Sequence, residues 1–318
     1  MQQNLEKNIF STVCYYDTLN YPLTIFEIWK NLLNLGKEGE SLETAGCRMS
    51  EVLKVLNGDG LKDFIESKNG FYFLKGREGL IVQRIARNKI SVLKLKRMRR
   101  VVSFLRVAPF VRMILVTGRL AMKNARPHSD WDVLVVLKAG RIWIGRTAIT
   151  FLTHILGKRR HHKKIKDRIC LNYFITTDSL EIRNKDLFSA NEYFFTFPLF
   201  ETKNYFQKFR LRNLWIRKYK PNYYGSDQRH TLCLLDNGLT RWLRIVGENI
   251  LDHDFLEKWL EKLELEKIKR NPKSAGATGL IEADRRALIF LPHPQGPKVF
   301  EKFKAKLDEI GAFNKYHI

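Results

Sequence analysis

The sequence of 318 residues predicts an α+β protein, with a sheet in the middle of the chain and helices on either side. Three apolar segments with strand character, at 111–117, 133–137 and 169–175, alternate with segments of helical spacing. Residues 1–80 have helical spacing and end in a hairpin signal, and residues 183–318 are mainly helical in pattern.

Composition narrows the function classes. The chain carries 57 Lys and Arg against 33 Asp and Glu, a formal net charge of +24 at pH 7. A hydrophobic content of 44 % excludes a disordered chain, because disordered chains lack that apolar fraction. The length indicates two or three domains. The positive charge predicts phosphate-bearing partners, namely nucleic acid, a nucleotide or an anionic membrane surface.

Several classes of protein are not expected. No stretch approaches 18 uninterrupted apolar residues, so no membrane span is predicted. The first ten residues lack a basic region followed by an apolar one, so no secretory signal is predicted. The cysteines are Cys14, Cys47, Cys170 and Cys233, and none forms a CxxC pair that would indicate a zinc knuckle or a disulfide framework. We therefore expect a cytoplasmic protein without a membrane partner.

Residues 1–80 form the first predicted domain. Three helical segments are followed by a hairpin signal at Lys68-Asn69-Gly70, because Asn-Gly favours a two-residue turn. Thr24 is predicted to cap a helix, with Glu27 three residues later. The order of three helices and a hairpin resembles a winged helix. Acidic and basic side chains roughly cancel here, which argues against nucleic-acid binding by this domain.

Residues 81–106 are predicted to form a basic linker helix with one apolar, buried face. Its cations are Arg84, Arg87, Lys89, Lys94, Lys96, Arg97, Arg99 and Arg100. Two interpretations stay open: the cations form an ordinary solvated face, which is the commoner case, or they form a surface for phosphates.

The segment 107–182 carries the chemistry. An apolar strand ends at Gly118, a short helix and a turn follow, and Asp130 and Asp132 then begin a second apolar strand. Side chains two residues apart on a strand point to the same face. Two carboxylates so placed can hold a hard divalent cation such as Mg²⁺, which neutralises a triphosphate and aligns it for attack.

The segment VTGRLAMKNARPHSDWDVLVV resembles the nucleotidyltransferase signature of the polymerase-beta superfamily, and the resemblance covers residues 111–180. It implies a nucleotidyltransferase fold, a mixed β-sheet flanked by helices. It also implies Mg²⁺-dependent transfer of a nucleoside monophosphate from an NTP to an acceptor. Asp130 and Asp132 would be the catalytic, metal-binding residues. The implied nucleotide-binding residues are Gly118, Arg119, Ser129 and Asn172.

Two positions depart from the family pattern. Arg119 stands where the family has a small residue, and it would either grip a phosphate or obstruct the pocket. Asn172 stands on the strand where the family has a third carboxylate, and an amide cannot serve as a general base. Asp178 and Glu181, just after that strand, are candidate substitutes.

The loop Lys158–Lys164 is the densest cationic stretch in the chain. The resemblance would place it at or near the sheet end that carries the Asp pair. It would then be a clamp for a triphosphate or a nucleic-acid backbone, or else an exposed, solvated loop. The adjacent His161 and His162 do not have the spacing of a zinc site.

Three functional hypotheses follow. The first is an active nucleotidyltransferase whose acceptor is a protein, a small molecule or an RNA end. The second is a degenerate relative that binds nucleotide and transfers nothing. The third is a nucleic-acid-binding regulator that acts through the winged-helix-like domain. The domains expected are 1–80, a linker helix at 81–106, a core at 107–182, and a mainly helical region at 183–318.

Overall fold

The computed structural model describes residues 2–35, 47–161, 164–223, 231–270, 279–292 and 294–309. The α+β prediction is confirmed, because helices combine with a three-stranded antiparallel sheet and a six-stranded mixed sheet. No helix within these described ranges is long and apolar enough to span a bilayer.

The three-stranded sheet belongs to the N-terminal part of the chain, and its strand order is β1-β3-β2. The elements are α1 (Gln2–Thr18), β1 (Leu23–Thr24), α2 (Ile25–Lys30), α3 (Met49–Leu56), β2 (Ile65–Lys68) and β3 (Phe71–Leu74). The predicted cap is confirmed, since Thr24 and Glu27 form a reciprocal capping box at the start of α2. The predicted hairpin is also confirmed, with Asn69 and Gly70 both at positive φ between β2 and β3.

A single long helix, α4 (Leu80–Leu105), leads from this part of the chain to the large sheet. Leu95, Met98 and Val102 pack into the core on one face of that sheet. Arg87 and Lys94 are buried on the same helix, although both are cationic. Burial of a charged side chain is costly unless it is paired, so their contacts bear on the site described below.

The large sheet has the strand order β7-β4-β5-β6-β9-β8. Its strands are β4 (Val111–Val116), β5 (Trp131–Leu137), β6 (Ile169–Thr176), β7 (Phe197–Glu201), β8 (Leu280–Ala283) and β9 (Ala287–Leu291). Only β5 and β6 pair in parallel. The three central strands form where the apolar segments of the sequence predict them.

Helices cover both faces of this sheet, which is why its central strands are apolar on both sides. The short helix α5 (Gly118–Ala121) follows β4. One face of the sheet packs against α4 and α6 (Ile142–Ile155), and the other against α7 (Leu187–Phe195) and α8 (Tyr205–Arg212). Trp131 lies fully buried on the α4 side, whereas its neighbour Leu134 packs on the α7 side.

The region after residue 183 is less purely helical than the sequence predicts. Besides α7 and α8 it contains α9 (Gly238–Leu251), α10 (Asp254–Arg270) and α11 (Gln295–Glu309). It also supplies β7, β8 and β9, half of the large sheet. The sequence indicates a short strand or extended segment at 287–291, and this segment forms β9. The strands β7 and β8 have five and four residues, too short for periodicity to separate them from helix or loop.

The N-terminal part of the chain packs against the C-terminal part. Phe303 and Leu307 of α11 share an apolar cluster with Ile9 and Tyr15 of α1. The buried Tyr16 hydroxyl donates a hydrogen bond of 2.6 Å to the Asn191 side chain of α7. The site-bearing sheet is therefore held against the N-terminal part of the chain through α7.

Candidate functional site

Asp130 and Asp132 lie at the amino end of β5, beside the turn that ends β4. Because β4 and β5 are antiparallel, the end of one adjoins the start of the other, and Val116 pairs with Val133. The Thr117 amide continues the ladder by donating to the Asp132 carbonyl at 3.1 Å. The topology therefore brings the glycine turn and the acidic pair together.

Gly118 meets Asp132 directly. It adopts φ +61°, and a β-carbon there would lie 2.9 Å from the Asp132 Oδ2 atom. Both the left-handed backbone and the close approach exclude a side chain. Gly118 and Asp132, which are 14 positions apart in the sequence, are thus in direct contact in the structure.

On the other side, the parallel strand β6 presents Cys170 opposite Asp132. Ligand atoms of Asp130, Asp132 and Cys170 all lie within 4.8 Å of one another. The register shifts after this pair, and the next paired residues are Leu134 and Tyr173, so Asn172 falls within the irregularity. The position in register with Asp132 is therefore Cys170, two residues before Asn172.

Arg160 closes the outer side of this cluster. Its guanidinium donates to Asp130 Oδ2 at 2.6 Å and to the Cys170 sulfur at 3.4 Å. The cationic loop thus reaches the acidic pair at Arg160. His162 and Lys163, which belong to the predicted loop, lie outside the described residues.

The negative charge of Asp132 is disfavoured by its surroundings. Burial and the nearby charge of Asp130 raise the pKa of Asp132 to about 7, although Arg160 and Arg119 act in the opposite direction. A buried carboxylate whose ionisation is disfavoured in this way is stabilised by a cation beside it.

A third carboxylate, Glu192 of α7, lies at the same turn, and the sequence did not single it out. It accepts hydrogen bonds from the Thr117 hydroxyl and the Gly118 amide. Burial and the charge of Asp132 nevertheless raise the pKa of Glu192 to about 7. The one sequence signal for it is that it is the only charged residue between Leu187 and Phe200.

Three arginines close enough to repel one another lie near the glycine turn. They are Arg87 of α4, Arg119 directly after Gly118, and Arg126. Burial lowers the pKa of Arg119, and the charge of Arg126 lowers it further, while Asp132 opposes the shift. The pKa of Arg87 is lowered by burial and by the charges of Arg126 and Arg119. Arg87 donates to the Asn124 side chain at 3.1 Å. Mutual repulsion of this kind is relieved by an anion, such as a phosphate.

Ser129 is tied to the surrounding loop. Its hydroxyl donates to the Arg126 carbonyl at 3.0 Å, and its own carbonyl accepts from Lys94 Nζ at 2.9 Å. The buried Lys94 of α4 thereby holds the residue that precedes Asp130, which orients the start of β5.

Asp178 and Glu181, the two substitutes considered for a third carboxylate, are wrongly placed for that role. They follow the carboxyl end of β6, whereas Asp130 and Asp132 lie at the amino end of the parallel β5. The eight residues of β6 separate the two ends by roughly 26 Å.

The donor set suits a divalent cation through its oxygens. Asp130 and Asp132 offer carboxylate oxygens close together, the ligand type that Mg²⁺ takes alongside substrate phosphates. Cys170 offers a sulfur atom, which Mg²⁺ does not favour, and burial together with the charges of Asp132 and Asp130 raises its pKa to about 12. Asp130 and Asp132 are therefore the residues able to hold Mg²⁺.

Comparison of the chain with protein-family models, with curated proteins and with solved structures finds no match in any of the three. The residues of the site itself are therefore what indicates the function. These are an acidic pair in contact with a glycine turn, with arginines on both sides.

Proposed function

We propose that the protein is a nucleotidyltransferase-like enzyme that binds a nucleoside triphosphate with Mg²⁺ and transfers the nucleoside monophosphate to an acceptor. The observation that carries the proposal is the contact between Gly118 and Asp132, because it joins a backbone turn able to approach phosphates to a carboxylate pair able to hold a metal. A turn and a pair that were merely close in sequence would not require glycine at this point.

The residues divide between metal and phosphates. Asp130 and Asp132 would hold the Mg²⁺ ion, which when bound would supply positive charge that neutralises the phosphates. Arg119 and Arg126 face the same turn as cations that repel each other, and they bind the phosphate oxygens. Gly118 leaves room for the Asp132 carboxylate at the turn, and its backbone would approach the phosphates.

The transfer itself is an in-line displacement. An oxygen of the acceptor attacks the α-phosphorus, the bond from that phosphorus to the β-phosphate oxygen breaks, and pyrophosphate leaves. The acceptor hydroxyl loses its proton to a carboxylate of the site. Glu192 adds a third carboxylate at the turn, in a different element from the strand on which the family carries one.

The finer fold assignment belongs to the same proposal. The mixed sheet with its parallel β5–β6 pair would be a nucleotidyltransferase fold, and the three-stranded sheet with its helices would be a winged helix. Support comes from the order of elements around residues 111–176 and from the hairpin between β2 and β3.

A second candidate function is nucleotide binding without transfer. Two observations favour it: Arg160 already ion-pairs with Asp130 at 2.6 Å, and Cys170 rather than a carboxylate stands in register with Asp132. In this case the arginines would bind the triphosphate while the chemical step stays slow.

The test is to incubate the protein with each NTP and Mg²⁺, measuring nucleotide binding by calorimetry and pyrophosphate release by a coupled assay. We expect binding and release in the wild type, and loss of release by more than about 100-fold in Asp130→Asn and Asp132→Asn. Asp178→Asn, an acid beyond the opposite end of β6, is the control. Binding without release supports the second candidate, and absence of any nucleotide binding would overturn both.

A further inference from the structure

The cationic loop contacts both the acidic pair and α4. We call its described residues, 158–161 and 164–168, the basic loop. They contain one acid, Asp167, and six cations: Lys158, Arg159, Arg160, Lys164, Lys166 and Arg168. Arg159, Arg160, Lys164 and Lys166 are exposed. Such an excess of positive charge on one exposed segment creates a site for a polyanion.

The acid of the basic loop is already engaged by α4. Lys94 and Arg97 contact the two Asp167 oxygens at 2.7 and 2.8 Å. The helix α4 has eight cations of its own and no acidic residue. These ion pairs therefore fasten one cationic element to another, and they place the exposed Arg97 of α4 beside the basic loop.

The basic loop also borders the acidic pair. Arg160 pairs with Asp130, and the Arg168 carbonyl accepts from the Trp131 amide at 2.8 Å. Lys158 lies 5.8 Å from the centre of the Trp131 ring. A polyanion bound on the basic loop would consequently have an end within reach of Asp130 and Asp132.

Apolar side chains stand exposed immediately before the loop. Phe151 and Ile155, one helical turn apart on α6, are each 62 % exposed. Their helix ends at Ile155, three positions before Lys158, where the basic loop begins. An aromatic ring beside a row of cations is the combination that binds single-stranded nucleic acid, because bases stack while phosphates pair with the cations.

We propose that the acceptor is a single-stranded nucleic acid, with its phosphates on the basic loop and α4 and with bases stacked at Phe151. The proposal rests on the proposed function. The terminal hydroxyl oxygen of the strand forms a bond to the α-phosphorus of the NTP, the bond to the β-phosphate oxygen breaks, pyrophosphate leaves, and the hydroxyl proton passes to a carboxylate of the site. The strand grows by one nucleotide.

The binding test uses fluorescence anisotropy with labelled single-stranded RNA and DNA oligonucleotides at several salt concentrations. The triple variant R159A/K164A/K166A removes exposed loop cations and keeps the contacts of Arg160 and Asp167. The matched control K298A/K302A/K304A removes three exposed cations from α11. We expect at least about tenfold weaker binding and a salt slope reduced by about two in the loop variant alone. Equal binding by both variants, or none by the wild type, would overturn the proposal.

A second comparison tests the stacking surface. Phe151→Ala should weaken binding of both kinds of strand by about tenfold, since base stacking on an aromatic ring contributes about 1–3 kcal/mol per base. Phe300→Ala removes a ring that is 54 % exposed on α11 and should leave binding unchanged. The two strand types show whether the 2′-hydroxyl matters.

The last experiment separates this proposal from the proposed function. An unlabelled strand is incubated with NTPs and Mg²⁺ and its length is read on a gel. Lengthening that is lost in the loop variant, while that variant still binds NTP, supports the acceptor assignment. Pyrophosphate release without strand binding overturns the acceptor assignment and leaves the proposed function standing. Transfer to an acidic protein in place of the strand has the same consequence. Strand binding by a wild type that binds no NTP contradicts the proposed function.

Discussion

A β-carbon at position 118 would lie 2.9 Å from Oδ2 of Asp132, closer than side chains normally approach one another. Gly118 also has φ +61°, so its lack of a side chain serves both the backbone and the contact. The glycine and the acidic strand that follows it therefore form one structural unit.

Gly118→Ala is expected to destabilise the fold and weaken Mg²⁺ and nucleotide binding, because the added methyl group displaces Asp132. Gly140→Ala is the matched control: its φ is +75° and nothing lies within 4 Å of the added carbon. Both variants bear the cost of placing alanine at a positive φ. Gly118→Ala should therefore lose at least about 1 kcal/mol more free energy of unfolding than Gly140→Ala, as measured by thermal or denaturant unfolding. Equal losses would show that the contact carries no strain.

Arg160→Ala is expected to tighten binding of a divalent cation. Arg160 neutralises Asp130 from 2.6 Å, and a metal ion must compete with it. The measurement is Mn²⁺ titration by calorimetry, with Lys164→Ala as a control that removes an exposed charge from the same loop. Several-fold tighter Mn²⁺ binding is expected in Arg160→Ala alone. Unchanged affinity would show that Arg160 does not compete with the metal ion for Asp130.

Glu192→Gln should stabilise the protein above neutral pH. Burial and Asp132 raise the pKa of Glu192 to about 7, so the folded state binds more protons than the unfolded state between pH 4 and 7. Wild-type stability therefore falls through this range as the carboxylate is forced to ionise. The glutamine avoids that cost, with a gain of about 1–3 kcal/mol at pH 8 that vanishes near pH 4.

Glu248→Gln is the control of opposite sign. Burial opposes its ionisation, but the hydrogen bonds and charge of Arg112, 2.7 Å away, lower the pKa of Glu248 overall. Its charge stabilises the fold above the unfolded-state pKa, so this variant should be less stable at pH 7. Urea unfolding at pH 4, 6 and 8 measures both variants, and a loss of stability at pH 8 in Glu192→Gln would contradict the expectation.

Lys220→Met is expected to stabilise the protein at pH 7. The Lys220 amine is fully buried, donates to the Tyr16 hydroxyl at 2.7 Å, and has its pKa lowered well below the usual value by burial. The Lys220 amine binds its proton more tightly in the unfolded chain than in the folded chain. The free energy of unfolding of the wild type therefore rises with pH up to about 10.5. The gain in the variant, about 1–3 kcal/mol at pH 7, should shrink over that range.

Lys306→Met provides the contrast, because Lys306 pairs with the nearly buried Asp17 at 2.7 Å and its removal should destabilise the fold. Thermal unfolding at pH 7 and pH 10 compares the two variants. A destabilised Lys220→Met would mean that the hydrogen bond to Tyr16 outweighs the burial cost.

The local sequence pattern was sufficient to predict the central strands, the helix cap at Thr24 and the hairpin turn. The runs that became β4, β5 and β6 are apolar on both faces, and the Thr24–Glu27 capping box and the Asn69–Gly70 turn depend only on neighbouring residues. The edge strand β7 was not predicted, because its five residues carry no period of their own and become a strand by pairing with β4.

The sequence by itself determined that Asp130 and Asp132 share one face at the start of a strand and that Gly118 precedes them, because spacing along a chain fixes these relations. Only the tertiary structure decided which groups meet them. Parallel pairing brought Cys170 opposite Asp132, packing of α7 brought Glu192 to the turn, and the loop fold brought Arg160 to Asp130. These residues lie 30 to 60 positions from the aspartates they meet, and contacts over such distances are set by strand register and core packing, which no local pattern encodes.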